Sequence, residues 1–321
     1  MEREAQRYSV VGLFNLLVTY VVWGSTYLAI RVAVREGAGW GPFWLGAMRV
    51  VAAAAVLFAI NALRSARLRP TRGELKVLVA TGLLLWVGGN GAVNWAEQRI
   101  DSGLAALIVG TMPIWVALME SRIDHRRPTL LLTASLVVGF LGLVVLTSPM
   151  LKDGVRSDVL GVFAVIFAAI SWGLGSIVVN RRRLDLDPMV ISGWQQLAGG
   201  IGFAVIAVLV AEPAPTPTPQ AWAAWAYLVV FGSLIAFTCF VSALNLLPTT
   251  VVMTYAYVNP VIAVLLGWII LSEPITLFTL VGMALIVTGV YGVFRDKGRR
   301  RSPAVPGHEV PATEAPLKPE R

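Results

Sequence analysis

The 321-residue chain has one cysteine, two histidines and only 14% charged residues. A single Cys239 excludes an intramolecular disulfide, and its place inside an apolar stretch leaves the redox compartment unreadable. His125 falls in a loop and His308 in a C-terminal tail, so no clustered ligand set for a metal can be assembled. The apolar stretches carry no Asp, Glu or His away from their ends, with Glu97 and Glu120 near boundaries. Acid-base chemistry therefore lacks titratable groups beside a buried substrate, and a membrane-buried carboxylate relay for protons is not evident. Neither a phosphate-cradling loop nor a dinucleotide fingerprint is apparent. These absences weigh against an enzyme, an ATP-driven pump and any metal or cofactor.

What the chain does have is apolar length. Hydrophobic residues make up 57% of it and mean hydropathy is +0.74, too apolar for a solvated globule. A hydrocarbon layer of about 30 Å takes roughly 20 apolar residues per helix. Ten such stretches are expected, near 10–30, 42–62, 75–96, 102–120, 129–147, 159–180, 189–210, 221–246, 249–271 and 275–294. They are too long and too uniformly apolar for barrel strands, so an all-α bundle follows. The first is too long for a secretion signal and no Ala-x-Ala-like site follows it, so it is expected to remain.

With the N-terminus inside, inner loops and the tail hold 20 of the 26 Lys and Arg, which places both termini in the cytoplasm. The basic charge is thereby a matter of topology, and no nucleic-acid partner is implied. Trp40, Trp44, Trp95, Trp222, Trp225 and Trp268 all fall near the expected outer interface, the depth amphipathic rings prefer. Residues 1–9 read as a cytoplasmic N-terminus, 148–158 as an outer linker, and Arg295 to Arg321, rich in Pro and charge, as a disordered cytoplasmic tail.

The chain is doubled. Gly110 to Ala117 aligns with Tyr257 to Val264 at an offset of about 147 residues, superimposing Pro113 on Pro260, and the same offset brings Gly142 onto Gly289. Trp23-Gly24 corresponds to Trp172-Gly173, and Pro42 with Arg49 to Pro188 with Gln195. The third and eighth spans align poorly. The repeats are 10–147 and 159–294; five spans each is an odd number, so the second copy threads the membrane upside down, an arrangement typical of transporters.

Trp23 to Arg31, then Pro42 with Ala47-Met48-Arg49, the Pro113 and Pro260 segments, and Ser272 to Thr276 resemble the EamA-like branch of the drug/metabolite transporter superfamily. The resemblance covers nearly the whole chain apart from the tail. It implies a ten-helix inverted-repeat fold, a central cavity lined by spans one to four and six to nine, and peripheral fifth and tenth spans. Similar members export amino acids and other small metabolites, or xenobiotics. One departure is that Arg126 stands where the second repeat has Glu273, although the family often has an acidic residue in both.

Arg49 is the sharpest functional signal: a permanent charge about seven residues, or roughly 10 Å, into a span. Either its guanidinium faces an aqueous cavity and holds a carboxylate or phosphate, or it snorkels outward and fixes its helix. Pro113 and Pro260 each free a carbonyl four residues back, at Val109 and Ala256; they are either matched gating points or static kinks. Asn90 and Asn94 share an α-helical face with Trp86, and Tyr255 shares one with Asn259, while Tyr257 points elsewhere. Trp23, Tyr27, Trp172, Ser176 and Gln195 are substrate-binding candidates by repeat position and depth; for each, plain packing is the alternative.

The expected function is export of a small-molecule substrate, an amino acid or related carboxylate-bearing metabolite, by alternating access in the cell inner membrane or plasma membrane. Efflux of lipophilic drugs is the runner-up. A non-transporting scaffold accounts for neither the duplicated prolines nor Arg49. Facilitated export is weighed against proton coupling through Glu97 or Glu120. A homodimer stays open, because a lipid-facing helix and a dimer face look alike in composition.

Overall fold

The computed structural model describes residues 8–300 except 35–36, 97–98, 101, 152–157 and 272–274. Ten helical spans follow one another. α1 is Val10–Val34, α2 Pro42–Leu63 and α3 Arg72–Ala96; α4 comprises Ser102–Val109 and Met112–Ile123, and α5 is Leu130–Leu151. α6 is Val159–Arg182, α7 Pro188–Leu209 and α8 Pro219–Leu246; α9 comprises Thr249–Val252 and Tyr255–Leu271, and α10 is Leu277–Arg300. Nine are long and apolar enough to cross a membrane, and α1 is apolar over Val10–Thr26.

Local chemistry sets the helix starts. Proline opens α2, α7 and α8, where its missing N–H costs nothing. Thr71 and Glu74 form a reciprocal capping box at α3. The carboxylate of Glu212 accepts from the backbone N–H groups of Phe43 at 3.1 Å and Trp44 at 2.7 Å. A negative charge thus sits at the positive end of α2 and ties the α7–α8 connection to it.

The packing is that of two interlocked copies. α1 lies against α8 and α9 as α6 lies against α3 and α4, while α2 packs on α7 and α5 on α10. The α5–α10 seam is built on small residues: a Cβ on Gly289 would stand 2.5 Å from the backbone nitrogen of Gly139, and one on Gly142 2.7 Å from that of Ile286. Close backbone approach of this kind substitutes for the hydrophobic drive that lipid does not supply. Phe14, Leu17, Phe163, Phe167, Ile201 and Val205 are turned outward, an apolar girdle suited to acyl chains. Trp40, Trp222 and Trp225 meet edge to face at 5.1 and 5.3 Å, and Arg99 lies 4.3 Å over the Trp95 ring, all at the expected outer interface.

Three features depart from the sequence reading. First, α3 and α8, whose sequences align poorly, each contain a nine-residue π-helical stretch, Leu83–Gly91 and Leu228–Ala236. The shared wide turn marks the two spans as equivalents where their sequences do not. Second, the helix breaks are not symmetric. α4 is interrupted at Gly110 and Thr111, and Pro113 stands at the start of the resumed helix, where proline is tolerated. α9 is interrupted at Met253 and Thr254, and Pro260 lies inside the following helix. Third, α10 continues to Arg300, past the expected start of the tail at Arg295. It is held there because the Tyr8 hydroxyl donates to Phe294 O at 2.6 Å and Asp296, buried, accepts from the Thr129 hydroxyl. Residues 301–321 of the tail lie outside the described residues, as do Glu97 and Glu273.

Candidate functional site

Arg49 settles the choice between lipid and interior by its position: it is 8% exposed and points into the bundle. Its Nε donates to Ser233 Oγ of α8 at 2.8 Å, and its guanidinium lies over the Trp86 ring at 5.8 Å. Gly232 makes room for it, since a Cβ there would meet Nη2 at 2.6 Å. Among the described residues no carboxylate reaches the guanidinium, and Nη1 and Nη2 have no hydrogen-bond partner.

Around this charge stand six aromatic rings from five helices: Trp23 of α1, Trp86 of α3, Trp172 of α6, Phe237 and Phe240 of α8, and Tyr255 of α9. Trp23 touches Tyr255 at 4.9 Å, Phe240 at 5.1 Å and Trp172 at 5.8 Å between ring centroids; Trp86 meets Phe237 at 4.8 Å. Met112 of α4 closes the ring, its sulfur accepting from the Tyr255 hydroxyl at 3.4 Å. Of the six, only Trp23 is partly exposed. The indole N–H groups of Trp86 and Trp172 are buried without an acceptor, at a cost of about 1–3 kcal/mol each. The cluster therefore holds unused donors and a cation against π-faces.

The π stretches feed this site. Where a helix widens, carbonyls lose their α-helical donor and need another. Trp23 Nε1 donates to Gly232 O at 3.0 Å and Gln196 Nε2 to Ser233 O at 3.2 Å; in the other copy Ser171 Oγ donates to Leu84 O at 2.8 Å. α1 thus contacts the backbone of α8 through an aromatic residue of the cluster.

Of the expected site residues, Arg49, Trp23, Trp86, Trp172 and Tyr255 come together. Gln195 does not join them: it is buried and donates to Thr81 Oγ1 of α3 at 2.8 Å. It repeats the reach of Arg49 from the second span of one copy to the third of the other, on different chemistry. Ser176 donates to its own helix at Trp172 O. Asn90 and Asn94 pair with each other at 3.4 Å, with Asn94 also 3.5 Å from Pro42 O, and no hydrogen bond joins either to Arg49. Asn259, its amide nitrogen turned to the carbonyls of Tyr255 and Tyr20 at 3.1 and 3.2 Å, clamps α9 to α1. The side chain of Tyr27 lies outside the described residues. Sequence reasoning missed Ser233, Gln196, Phe237 and Phe240; the polar pair Gln195-Gln196 and the mid-span Gly232-Ser233 were the available signals.

The EamA-like transporter family model matches residues 10–148 and again 159–295, the two repeats. The chain belongs to the EamA-like transporter family. It is 31% identical over 293 residues to the inner membrane transporter YedA of Escherichia coli strain K12, covering 91% of this chain and 92% of that one. It is 25% identical to a protein of Streptantibioticus cattleyicolor named as a probable terminal-alkyne amino-acid exporter, covering 92% and 98%. A crystal structure at 21% identity superposes with a TM-score of 0.76 over 91% of this chain and 99% of its own, which establishes the fold alone. This EamA-like protein is a multi-pass inner membrane transporter rather than an enzyme, embedded in lipid and handling small molecules.

Proposed function

We propose that this transporter exports carboxylate-bearing small metabolites, amino acids foremost, by alternating access through the chamber around Arg49, with both termini in the cytoplasm. The observation that carries the reading is the buried, carboxylate-free guanidinium beside two unpartnered indole N–H groups. An interior cation is retained against a desolvation cost of several kcal/mol when it has a partner to receive, and a planar carboxylate fits its fork. The surrounding π-faces suit an ammonium or an unsaturated side chain. The amino-acid exporter among its relatives supports the same substrate class, and the excess of inner Lys and Arg supports the orientation. Pro113 and Pro260 stay on the gating helices, with the hinges at the helix breaks, beside Pro113 in α4 and more than a turn before Pro260 in α9.

The test is an untargeted comparison of metabolites inside and outside cells overexpressing the chain, with Arg49→Ala as control. Carboxylates that leave the cell only with Arg49 present identify the substrate. Export of neutral lipophilic compounds that survives Arg49→Ala would instead favour drug efflux, which the six-ring lining also suits. Counterflow into proteoliposomes with and without a pH gradient separates facilitated export from proton coupling; strict dependence on the gradient would refute the uncoupled version.

A further inference from the structure

We infer that Glu120, Lys297 and Thr250 form an ionic latch that holds the cytoplasmic mouth shut, and that the equivalent positions of the other repeat form none at the outer mouth. The inference rests on the alternating-access reading above. Glu120 lies one turn from the inner end of α4; its Oε2 accepts from Lys297 Nζ of α10 at 3.1 Å and from the Thr250 hydroxyl in the first turn of α9 at 2.6 Å. Three helices meet on one carboxylate oxygen. The Glu120 and Lys297 side chains are only 15% and 17% exposed, so the pair is screened far less than a surface salt bridge. Beneath it a cavity of about 410 Å³ lined by Glu120, Asp124, Arg126 and Lys297 opens to the inner face. Directly above it, one turn up α4, Val116 is fully buried.

The repeat shows that the latch is an addition. At the offset that matches Pro113 to Pro260, Glu120 corresponds to Gly267, Thr250 to Gly103 and Lys297 to Met150. The inverted copy thus puts no charge and no hydroxyl at the equivalent outer positions. Among the described residues, no hydrogen bond or ion pair joins the outer half of α4 to the outer half of α9. A symmetric transporter would be equally ready to open either way. Here an interaction present only when the inner mouth is closed biases the pair of states toward the outward-facing one.

The latch is tested by thiol labelling without any substrate. Cys239→Ser removes the native thiol and Val116→Cys supplies a reporter behind the latch, probed in inside-out vesicles with a membrane-impermeant maleimide. Glu120→Gln and Lys297→Gln are each expected to speed labelling roughly 10-fold, the shift that about 1.4 kcal/mol of lost coupling produces. Thr250→Val, which removes one bond to a charged group, is expected to speed it roughly 5-fold or more. The charge swap Glu120→Lys with Lys297→Glu should return the rate toward that of the parent. Labelling unchanged in all the single variants, or a swap that labels as fast as they do, overturns the latch. If a single variant does not reach the membrane, Thr250→Val and the swap decide. Faster labelling with no exported carboxylate sinks the substrate reading and keeps the latch; unchanged labelling with intact export does the reverse.

Discussion

Replacing Arg49 by methionine separates a binding role from a structural one, because the two predict opposite stabilities. Methionine fills the same elongated space without charge. The substitution gives up the hydrogen bond to Ser233, about 1.5–3 kcal/mol for a bond to a charged group, and the contact with Trp86, about 2 kcal/mol when desolvated. It also relieves a guanidinium that has no carboxylate partner, and returning such an ion to water recovers several kcal/mol. The opposing effects nearly cancel, so the Tm of Arg49→Met in detergent should stay within about 5 °C of the parent. Transport should nonetheless vanish. Arg49→Lys, which keeps the charge but cannot offer two parallel donors, should raise KM for the exported carboxylate roughly 10-fold while leaving some flux. The assay pairs thermal-shift melting of the purified protein with counterflow in proteoliposomes. A collapse of Tm in Arg49→Met would make Arg49 a structural brace, and undiminished counterflow in that variant would remove it from the substrate path.

Gly289→Leu should prevent a monodisperse fold, since even a Cβ there would stand 2.5 Å from the Gly139 backbone; size-exclusion of a fluorescent fusion reads it, and an unchanged profile would contradict the seam. Trp23→Phe keeps the ring but removes the donor to Gly232 O, at a cost of about 1 kcal/mol, and should slow counterflow several-fold with Tm nearly unchanged. Ser176→Ala, which removes only a bond within α6, should change Tm and KM little; a large rise in KM would put Ser176 back among substrate contacts. Reporter fusions at the two ends of the chain should both fold in the cytoplasm, and a periplasmic C-terminus would contradict the charge-based orientation.

The scaffold was legible because apolar length, charge bias and duplication are written in single residues. Ten spans, the pairing of Gly142 with Gly289 and the presence of a charge at Arg49 within a span all follow from composition and offset. What escaped depended on turn geometry. A π stretch leaves no mark in hydropathy, and the third and eighth spans align poorly, so no repeat position pointed to Ser233, Phe237 or Phe240. Gln196 was passed over for Gln195 because alignment matched Arg49 to its sequence counterpart, whereas the structure gives the Ser233 carbonyl to the neighbour. The end of α10 was misread from charge alone; Tyr8 and Thr129, distant in sequence, keep it helical.

Duplication explains what the two halves share, and function concentrates where they differ. Positions that keep the copies packed are repeated in kind: Trp23 with Trp172, Pro42 with Pro188, Gly142 with Gly289. Positions that carry charge are not: Arg49 faces Gln195 across the repeat, and Glu120, Thr250 and Lys297 face Gly267, Gly103 and Met150. A two-state machine made of identical inverted halves has equal energies for its two facing states and no polarity in its binding chamber. On the proposed reading, one buried arginine gives the binding site a sign and one inner carboxylate gives the cycle a resting side. Transferring these residues to the opposite repeat, with Gln195→Arg and Arg49→Gln together, should therefore leave a folded protein whose carboxylate affinity falls. Ser233 and Gly232, which seat the guanidinium, correspond near Gln195 to Thr81 and Gly82, and there the glycine is packed against the Gln195 backbone and not beside its side-chain head. Wild-type affinity in that double variant would show that the chamber reads net charge alone and not the placement of the fork.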